Sequence, residues 1–144
     1  MSFLLVGGDS EIASATFAYM QRHKFPVVAT TRRTERLAEG RIALDLAPPL
    51  AAWRPPSETR AACILAAVGH LVDCYRDPVG SALINVTRTL ELVERLVVGG
   101  IYVLFLSTNQ VFAGNRPLMS AGMPLDPVSE YGRQKTAQRS SCRQ

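Results

Sequence analysis

Five short apolar runs recur along this 144-residue chain, and segments with helical spacing or turn residues separate them. None of the runs alternates polar and apolar residues, which is the pattern of strands buried on both faces of a parallel sheet. Right-handed crossovers between such strands favour the doubly wound order 3-2-1-4-5, with ligands at the carboxyl ends of the strands. The sequence therefore predicts a doubly wound parallel α/β sheet. The five predicted strands are residues 3–6, 26–31, 41–44, 61–68 and 101–106.

Apolar side chains recur at three- and four-residue intervals in two longer segments, which predicts amphipathic helices over residues 11–23 and 78–98. Asp9 or Ser10 is expected to cap the first of them. Shorter helices are expected over residues 34–39 and from about Tyr131 onward. The expected packing sides contain Ile12, Ala15 and Tyr19 in the first helix and Leu83, Val86, Leu90, Val93 and Val97 in the second.

Composition excludes several functional classes. The net charge is only +4 and no aromatic residues are interleaved with the basic ones, so neither nucleic-acid binding nor a membrane partner is expected. The three cysteines, Cys63, Cys74 and Cys142, lack metal-ligand spacing and are expected to be reduced, and no metal site is predicted. The N-terminus lacks the charged start of a signal peptide, and no apolar run reaches membrane-spanning length. A cytoplasmic protein is expected.

The turn after the first strand has the features of a dinucleotide-binding turn. Such a turn needs a tight bend, close approach of the backbone to the pyrophosphate, and close packing of helix on strand. Gly7 meets the first requirement and Ala13 the third, whereas Ser10 stands where the second glycine is expected and Glu11 adds a negative charge. The alternative is a strand-to-helix turn that binds no ligand.

Two arginines follow the second strand, where NAD-binding folds place an acidic residue for the ribose hydroxyls. The guanidinium groups of Arg32 and Arg33 match a 2′-phosphate both in charge and in their forked donors, so NADP(H) is favoured over NAD(H). The alternative is a solvated basic start of the following helix.

Tyr131 and Lys135 are spaced i and i+4, which places them on one face of a helix. There an ammonium group can lower the pKa of the phenol and make it a usable proton donor and acceptor. A hydroxyl of Ser107 or Thr108, at the end of the fifth strand, can orient the oxygen of a substrate. The structural alternatives are an exposed aromatic side chain for Tyr131, a solvated side chain for Lys135 and a strand cap for Thr108.

The complete pattern resembles the extended short-chain dehydrogenase/reductase superfamily, and within it the dTDP-4-dehydrorhamnose reductase-like enzymes and the NAD-dependent epimerases and dehydratases. The most specific part is Ser-Thr-x-x-Val-Phe-x-Gly from Ser107 to Gly114, followed by Tyr-Gly-x-x-Lys from Tyr131 to Lys135. Further matching residues are Leu4-Leu5-Val6-Gly7 with Ala13, Asp45-Leu46, Ala66-Ala67, Val72-Asp73, Asp77-Pro78, Asn85-Val86 and Pro127.

The resemblance implies a Rossmann-like fold and a role for each matched residue. Tyr131 would protonate a carbonyl oxygen as hydride arrives from the nicotinamide. Lys135 would hydrogen-bond the nicotinamide ribose and lower the pKa of Tyr131, and Thr108 would hydrogen-bond the reacting oxygen. Asn85 would support the active site. The expected cofactor-binding residues are Gly7, Ser10, Glu11, Ile12, Arg32, Arg33, Asp45, Leu46, Ala66, Ala67 and Lys135.

The resemblance also implies a substrate of the nucleotide-sugar type or another small carbonyl compound, bound to a homo-oligomer. Residues 1–144 are expected to form an NAD(P)-binding domain. The chain ends nine residues after Lys135, so we expect the substrate-binding lobe of the family to be missing. The alternative function is a non-catalytic NAD(P)-binding or regulatory module.

Overall fold

A computed structural model describes residues 1–141, so the expectation for Cys142 lies outside the described residues. The chain divides into two compact units. Unit 1 consists of Met1–Ala67 and Glu91–Leu106. Unit 2 consists of Val68–Leu90 and the residues from Ser107 onward. Among residues 1–141, no helix has both the length and the apolar character needed to cross a membrane.

Unit 1 contains a five-stranded sheet in the order β3-β2-β1-β4-β5, and all of its strand pairs are parallel. The central strand β1 pairs Leu4 with Val28 on one side and with Ala62 on the other. Leu4 and Ala62 are almost fully buried, which is why these runs are apolar without alternation. The predicted topology is confirmed. The strands are β1 (Ser2–Val6), β2 (Val27–Thr31), β3 (Arg41–Ala43), β4 (Thr59–Ile64) and β5 (Tyr102–Phe105).

Helix α1 (Glu11–Arg22) follows β1 and starts at the predicted position. The Ser10 hydroxyl accepts a hydrogen bond from the backbone N–H of Ala13 at 3.2 Å and so caps the helix. The predicted packing side was wrong, because Ile12 and Tyr19 are exposed. The buried face is set instead by Ala13 and by Phe17, which clusters with Leu5 and Ala29 of the sheet.

Several element ends differ from the predicted ones. Strand β4 ends at Ile64 rather than at residue 68, and the predicted helix over residues 34–39 is a single 3₁₀ turn, Thr34–Arg36. Gly40 has a φ of 75° at the turn into β3. All of α4 (Thr89–Val98) from Glu91 onward belongs to unit 1, and this part of the helix buries Leu92 and Leu96.

Unit 2 is mostly helical. An unpredicted helix, α2 (Leu71–Arg76), precedes the segment that was predicted as one helix over residues 78–98. That segment consists of α3 (Pro78–Ala82), a π-helical stretch (Leu83–Arg88) and α4. A 3₁₀ turn (Asn109–Val111) and helix α5 (Glu130–Ser141) complete the unit.

The predicted apolar face of residues 78–98 was also wrong. Leu83 and Val97 are exposed, whereas Ser81, Asn85 and Thr89 are buried. Hydrogen bonding explains the difference, because these three polar side chains all have partners inside unit 2. A hydrophobic pattern alone does not identify a buried face that is polar from Ser81 to Thr89 and becomes apolar only at Leu92 and Leu96.

Candidate functional site

The turn after β1 approaches the end of β4 very closely. Gly7 has a φ of 92°, and a Cβ atom placed on it would lie 2.6 Å from the backbone N and Cα of Ala66. Its N–H donates a 3.0 Å hydrogen bond to the Thr30 hydroxyl at the end of β2. Only glycine combines this φ with this clearance. The carboxyl ends of β1, β2 and β4 therefore meet in unit 1, as predicted.

The start of α1 lies directly after this turn. The Ser10 hydroxyl is engaged as the helix cap, and the Ser14 hydroxyl donates to the Gly8 carbonyl oxygen at 3.0 Å. Glu11 and Ile12 are exposed in the first turn of the helix. A helix N-terminus at the edge of a parallel sheet favours an anionic group such as a pyrophosphate.

The basic residues after β2 lie around the carboxylate of Asp9, which the sequence predicted only as a possible helix cap. Asp9 accepts hydrogen bonds from the Thr31 hydroxyl at 2.8 Å and from Arg36 Nη1 at 3.1 Å. Arg41 Nη1 lies 3.9 Å from the same carboxylate. Partial burial favours the neutral acid, but the hydrogen bonds from Thr31 and Arg36 outweigh it, so the pKa of Asp9 is lowered.

The other cofactor-binding residues predicted in unit 1 differ in accessibility. Arg32 and Arg33 are exposed, and the Arg33 N–H donates to the Thr31 hydroxyl at 3.0 Å. Asp45 is exposed and Ala66 is half-buried, whereas the Leu46 side chain is buried and belongs to the core. Ala67 is exposed.

In unit 2 the structure brings Tyr131 and Lys135 together on one face of α5. The Lys135 Nζ lies 5.8 Å from the centroid of the Tyr131 ring. Lys135 is 3 % exposed, although lysine side chains are rarely buried to this extent. Tyr131 is half-buried. The pair therefore lies in a protected environment rather than on a solvated helix face.

Thr108 starts the 3₁₀ turn that packs against α5. Its hydroxyl accepts a hydrogen bond from the Gln110 N–H at 3.2 Å. A Cβ placed on Gly132 would overlap the Gln110 carbonyl oxygen, so glycine is required next to Tyr131 for this close approach. The Thr-x-x-Val and Tyr-Gly motifs therefore pack against each other within unit 2.

Burial shifts the pKa values of the two titratable groups on α5 in opposite directions. It raises the pKa of Tyr131, to which the nearby Cys74 thiol also contributes. Burial lowers the pKa of Lys135 to about 8. The expected lowering of the Tyr131 pKa by Lys135 is not seen. At pH 7 the phenol is protonated and most of the lysine is charged.

A buried amide network supports this face of α5, and only one of its members, Asn85, was predicted from the sequence. The Asn85 side chain accepts from the Val68 N–H at 2.7 Å and donates to the Val68 carbonyl oxygen at 3.0 Å. It also donates to Gln134 Oε1 at 2.7 Å. Gln134 in turn donates to the Ser81 hydroxyl at 2.8 Å. The network thus fixes the residue that precedes Lys135.

Asn85 lies in the π-helical stretch, and such stretches are frequent at functional sites. Asn85 was named through the family resemblance, and its low helix propensity inside a predicted helix is a further signal in the sequence. Gln134 gave no signal, because an isolated glutamine on a polar helix is unremarkable. Within residues 1–141, no group of three or more His, Cys, Asp or Glu side chains could hold a metal ion.

A family model described as "NAD dependent epimerase/dehydratase family" matches residues 3–144. Among solved structures, the chain is similar to MoeE5 in complex with UDP-glucose and NAD, at 25% identity and a TM-score of 0.83. This match covers 97% of the chain and 47% of MoeE5. A search of curated protein sequences gave no significant match.

Two further structures show the same fold at lower identity. One is the UDP-glucose 4-epimerase of Thermus thermophilus in complex with NAD, at 21% identity and a TM-score of 0.76, covering 99% of the chain and 50% of the epimerase. The other is a dTDP-4-dehydrorhamnose reductase of Clostridium acetobutylicum, at 18% identity and a TM-score of 0.79, covering 97% of the chain and 48% of the reductase. The chain thus spans about half the length of these proteins.

Proposed function

The chain belongs to the NAD-dependent epimerase/dehydratase family, and from this premise we propose that it is an oxidoreductase acting on a nucleotide sugar. Residues 1–144 serve as an NAD(P)-binding domain. The specific reaction is reduction of a 4-keto group on the sugar. The match to MoeE5, whose structure contains UDP-glucose and NAD, supports both the ligand class and the cofactor class.

The cofactor is bound through the turn and the strand ends of unit 1. Gly7 allows the backbone to approach the pyrophosphate, and the N-terminus of α1 favours its charge. Asp45 and Leu46 flank the adenine, and Ala66 with Ala67 lines the ribose. Arg32 and Arg33 favour NADP(H) over NAD(H), because their guanidinium groups are exposed and match a 2′-phosphate in charge and geometry.

The proton is supplied by α5. The nicotinamide, when bound, provides the hydride, and Tyr131 donates a proton to the oxygen of the carbonyl that is reduced. At neutral pH the phenol of Tyr131 is protonated and can donate, and its raised pKa makes it a weaker acid than a solvated tyrosine. Thr108 hydrogen-bonds the reacting oxygen and Lys135 the nicotinamide ribose.

The observation that carries the proposal is the Tyr131–Lys135 pair on a protected helix face, with Lys135 buried and the preceding Gln134 held by hydrogen bonds. The test is turnover of NADPH with a 4-keto nucleotide sugar. Tyr131→Phe is expected to lower kcat by about 10²- to 10⁴-fold, the usual contribution of a general acid, and to retain NADPH binding. Tyr75→Phe, at an exposed position on α2, is the matched control and should leave both unchanged. Equal turnover in Tyr131→Phe and wild type would rule out the proposed acid.

The second candidate is a non-catalytic NAD(P)-binding or regulatory module. The direction of the Tyr131 pKa shift favours it, because the shift moves this pKa further from the near-neutral range in which a general acid or base is most effective. Stoichiometric NADPH binding without turnover of keto or hydroxyl sugars would select this candidate.

We further propose that the protein is a cytoplasmic homo-oligomer. The support is apolar surface on and near the edge strand β5, where Tyr102 and Leu104 are 67% and 53% exposed. Light scattering of the purified protein over a hundredfold concentration range tests the oligomeric state. A monomer at every concentration would contradict it.

A further inference from the structure

The carboxylate of Asp9 lies at the carboxyl end of β2, where it contacts Thr31 and Arg36. NAD-binding folds place an acidic residue at the end of the second strand, and NADP-binding folds place an arginine nearby. Here the second strand is followed by arginines, but a carboxylate from the turn after β1 reaches the same place. Its Oδ2 accepts from the hydroxyl of Thr31, the last residue of β2, at 2.8 Å.

Asp9 already engages the basic residues of this region. Arg36 donates to its Oδ1 at 3.1 Å, and Arg41 lies 3.9 Å from the same oxygen. Arg33 also stabilises its negative charge. The Arg36 side chain is 44% exposed and that of Asp9 only 19%. An anion arriving from solvent therefore finds the guanidinium group accessible but already paired.

We propose that Asp9 is a specificity-determining residue that competes with the 2′-phosphate of NADP(H) for Arg36 and Arg41, which limits the NADP(H) preference set by the arginines. The inference rests on the proposed NAD(P)-binding function. NADH carries no 2′-phosphate, so its binding does not require the Asp9–Arg36 pair to open. NADPH binding requires either that the pair opens or that two anionic groups share the same guanidinium groups, and both lower its affinity.

Arg41 is less available to the phosphate than Arg36. Its Nη1 also donates to the Gly8 carbonyl oxygen at 3.4 Å, and its guanidinium carbon lies 5.0 Å from the centroid of the Phe17 ring. These contacts hold it beneath the turn. Arg36, on the 3₁₀ turn after β2, is therefore the arginine that exchanges between Asp9 and the phosphate.

The test measures dissociation constants of NADPH and NADH by the fluorescence of the bound dinucleotides. Asp9→Asn removes the competing charge and keeps the size of the side chain. It is expected to raise NADPH affinity about tenfold, as for loss of one hydrogen-bonded charge interaction, with NADH affinity changed less than twofold. Glu35→Gln is the matched control: it removes an exposed negative charge next to Arg36 and is expected to leave the NADPH/NADH ratio unchanged.

Arg36→Gln keeps the test decisive if Asp9→Asn does not fold. It changes a largely exposed side chain and is expected to lower NADPH affinity without changing NADH affinity. A parallel loss of both cofactors in Asp9→Asn would overturn the proposal by showing that Asp9 only shapes the turn. A selective loss of NADH would also overturn it, because Asp9 would then bind the ribose hydroxyls. An unchanged ratio of NADPH to NADH affinity in Asp9→Asn would contradict only this inference. If wild type bound no dinucleotide at all, the proposed function would be contradicted as well.

Discussion

The two units of this chain bury different kinds of side chains. In unit 1 the interior is formed largely by aliphatic residues of the strands, such as Leu4, Val6 and Ile64. In unit 2 the interior contains Asn85 and Lys135, together with Ser81, Thr89, Gln134 and Gln138. The first kind of burial lowers the free energy of folding in proportion to apolar area. The second contributes little net stability even when every group is paired, and it costs free energy when one is not.

This difference in buried side chains matches the roles proposed for the two units. The aliphatic interior of unit 1 fixes strand ends and turns, and its polar chemistry lies at the edge of the sheet. In unit 2 the candidate acid–base pair lies on a helix whose buried face is polar. Such a face contributes less to the free energy of folding than an apolar one. Such a face is understandable where position and charge matter more than stability.

The largest effect is expected from Asn85→Ala in unit 2. The substitution leaves the Val68 N–H, the Val68 carbonyl and Gln134 without their partner, so the free energy of unfolding should fall by about 3 kcal/mol. Ile64→Val, at a buried position in unit 1, should cost only about 1 kcal/mol. Urea denaturation measures both. If the free energy of unfolding fell by a similar small amount in both variants, the proposed difference between the two units would be contradicted.

A stabilising substitution sharpens the same comparison. Among residues 1–141, neither amide atom of the buried Gln138 side chain on α5 has a hydrogen-bond partner. Gln138→Leu is therefore expected to raise the free energy of unfolding by about 2 kcal/mol, since it removes an unsatisfied polar group at similar volume. Gln21→Leu, at an exposed position on α1, is the control and should have little effect. A loss of stability in Gln138→Leu would show that the amide has a partner.

The buried lysine predicts a pH dependence for unit 2. Its pKa of about 8 in the folded chain lies below its ordinary value of 10.5, so between these values the unfolded chain binds more protons. Stability therefore rises with pH in this window, by about 1 kcal/mol between pH 8 and pH 9. The raised pKa of Tyr131 acts in the opposite direction, but only near and above its ordinary value of 10.0.

The measurement is the free energy of unfolding at pH 7.5, 8, 8.5 and 9, for wild type and for Lys135→Met. The difference between the two proteins isolates the lysine from all other titrating groups. The free energy of unfolding of wild type should increase relative to that of Lys135→Met as the pH rises. A difference that is constant with pH would show that Lys135 keeps its ordinary pKa.

The smallest effect is expected at the start of α1 in unit 1. Ser10→Ala removes the hydroxyl that caps the helix and should lower the free energy of unfolding by about 1 kcal/mol. Ser57→Ala, in the exposed loop before β4, should change it by less than half of that amount. Thermal unfolding of the two variants side by side makes the comparison. Equal melting temperatures would mean that Ser10 occupies the second-glycine position without contributing to the helix.

Local patterns in the sequence were enough to predict the sheet order, the bend at Gly7 and the family. Strand order follows from apolar runs and from the handedness of crossovers, and the Tyr131–Lys135 pair follows from helical spacing. The buried faces of α1 and of residues 78–98 were not predictable in this way. In α1 two adjacent faces are similarly apolar, and the packing of Phe17 on the sheet selects one of them.

The sequence by itself determined the five strands, their order, and the placement of Tyr131 and Lys135 on one helix face, because these depend on short-range periodicity and motif spacing. Tertiary structure alone decided the environment of those residues. Asp9 meets Arg36 across 27 positions and Asn85 meets Gln134 across 49, and both contacts couple charge or hydrogen bonding to burial. The pKa of a group depends on such neighbours and on its solvent access, so the raised pKa of Tyr131 became visible only in the folded chain.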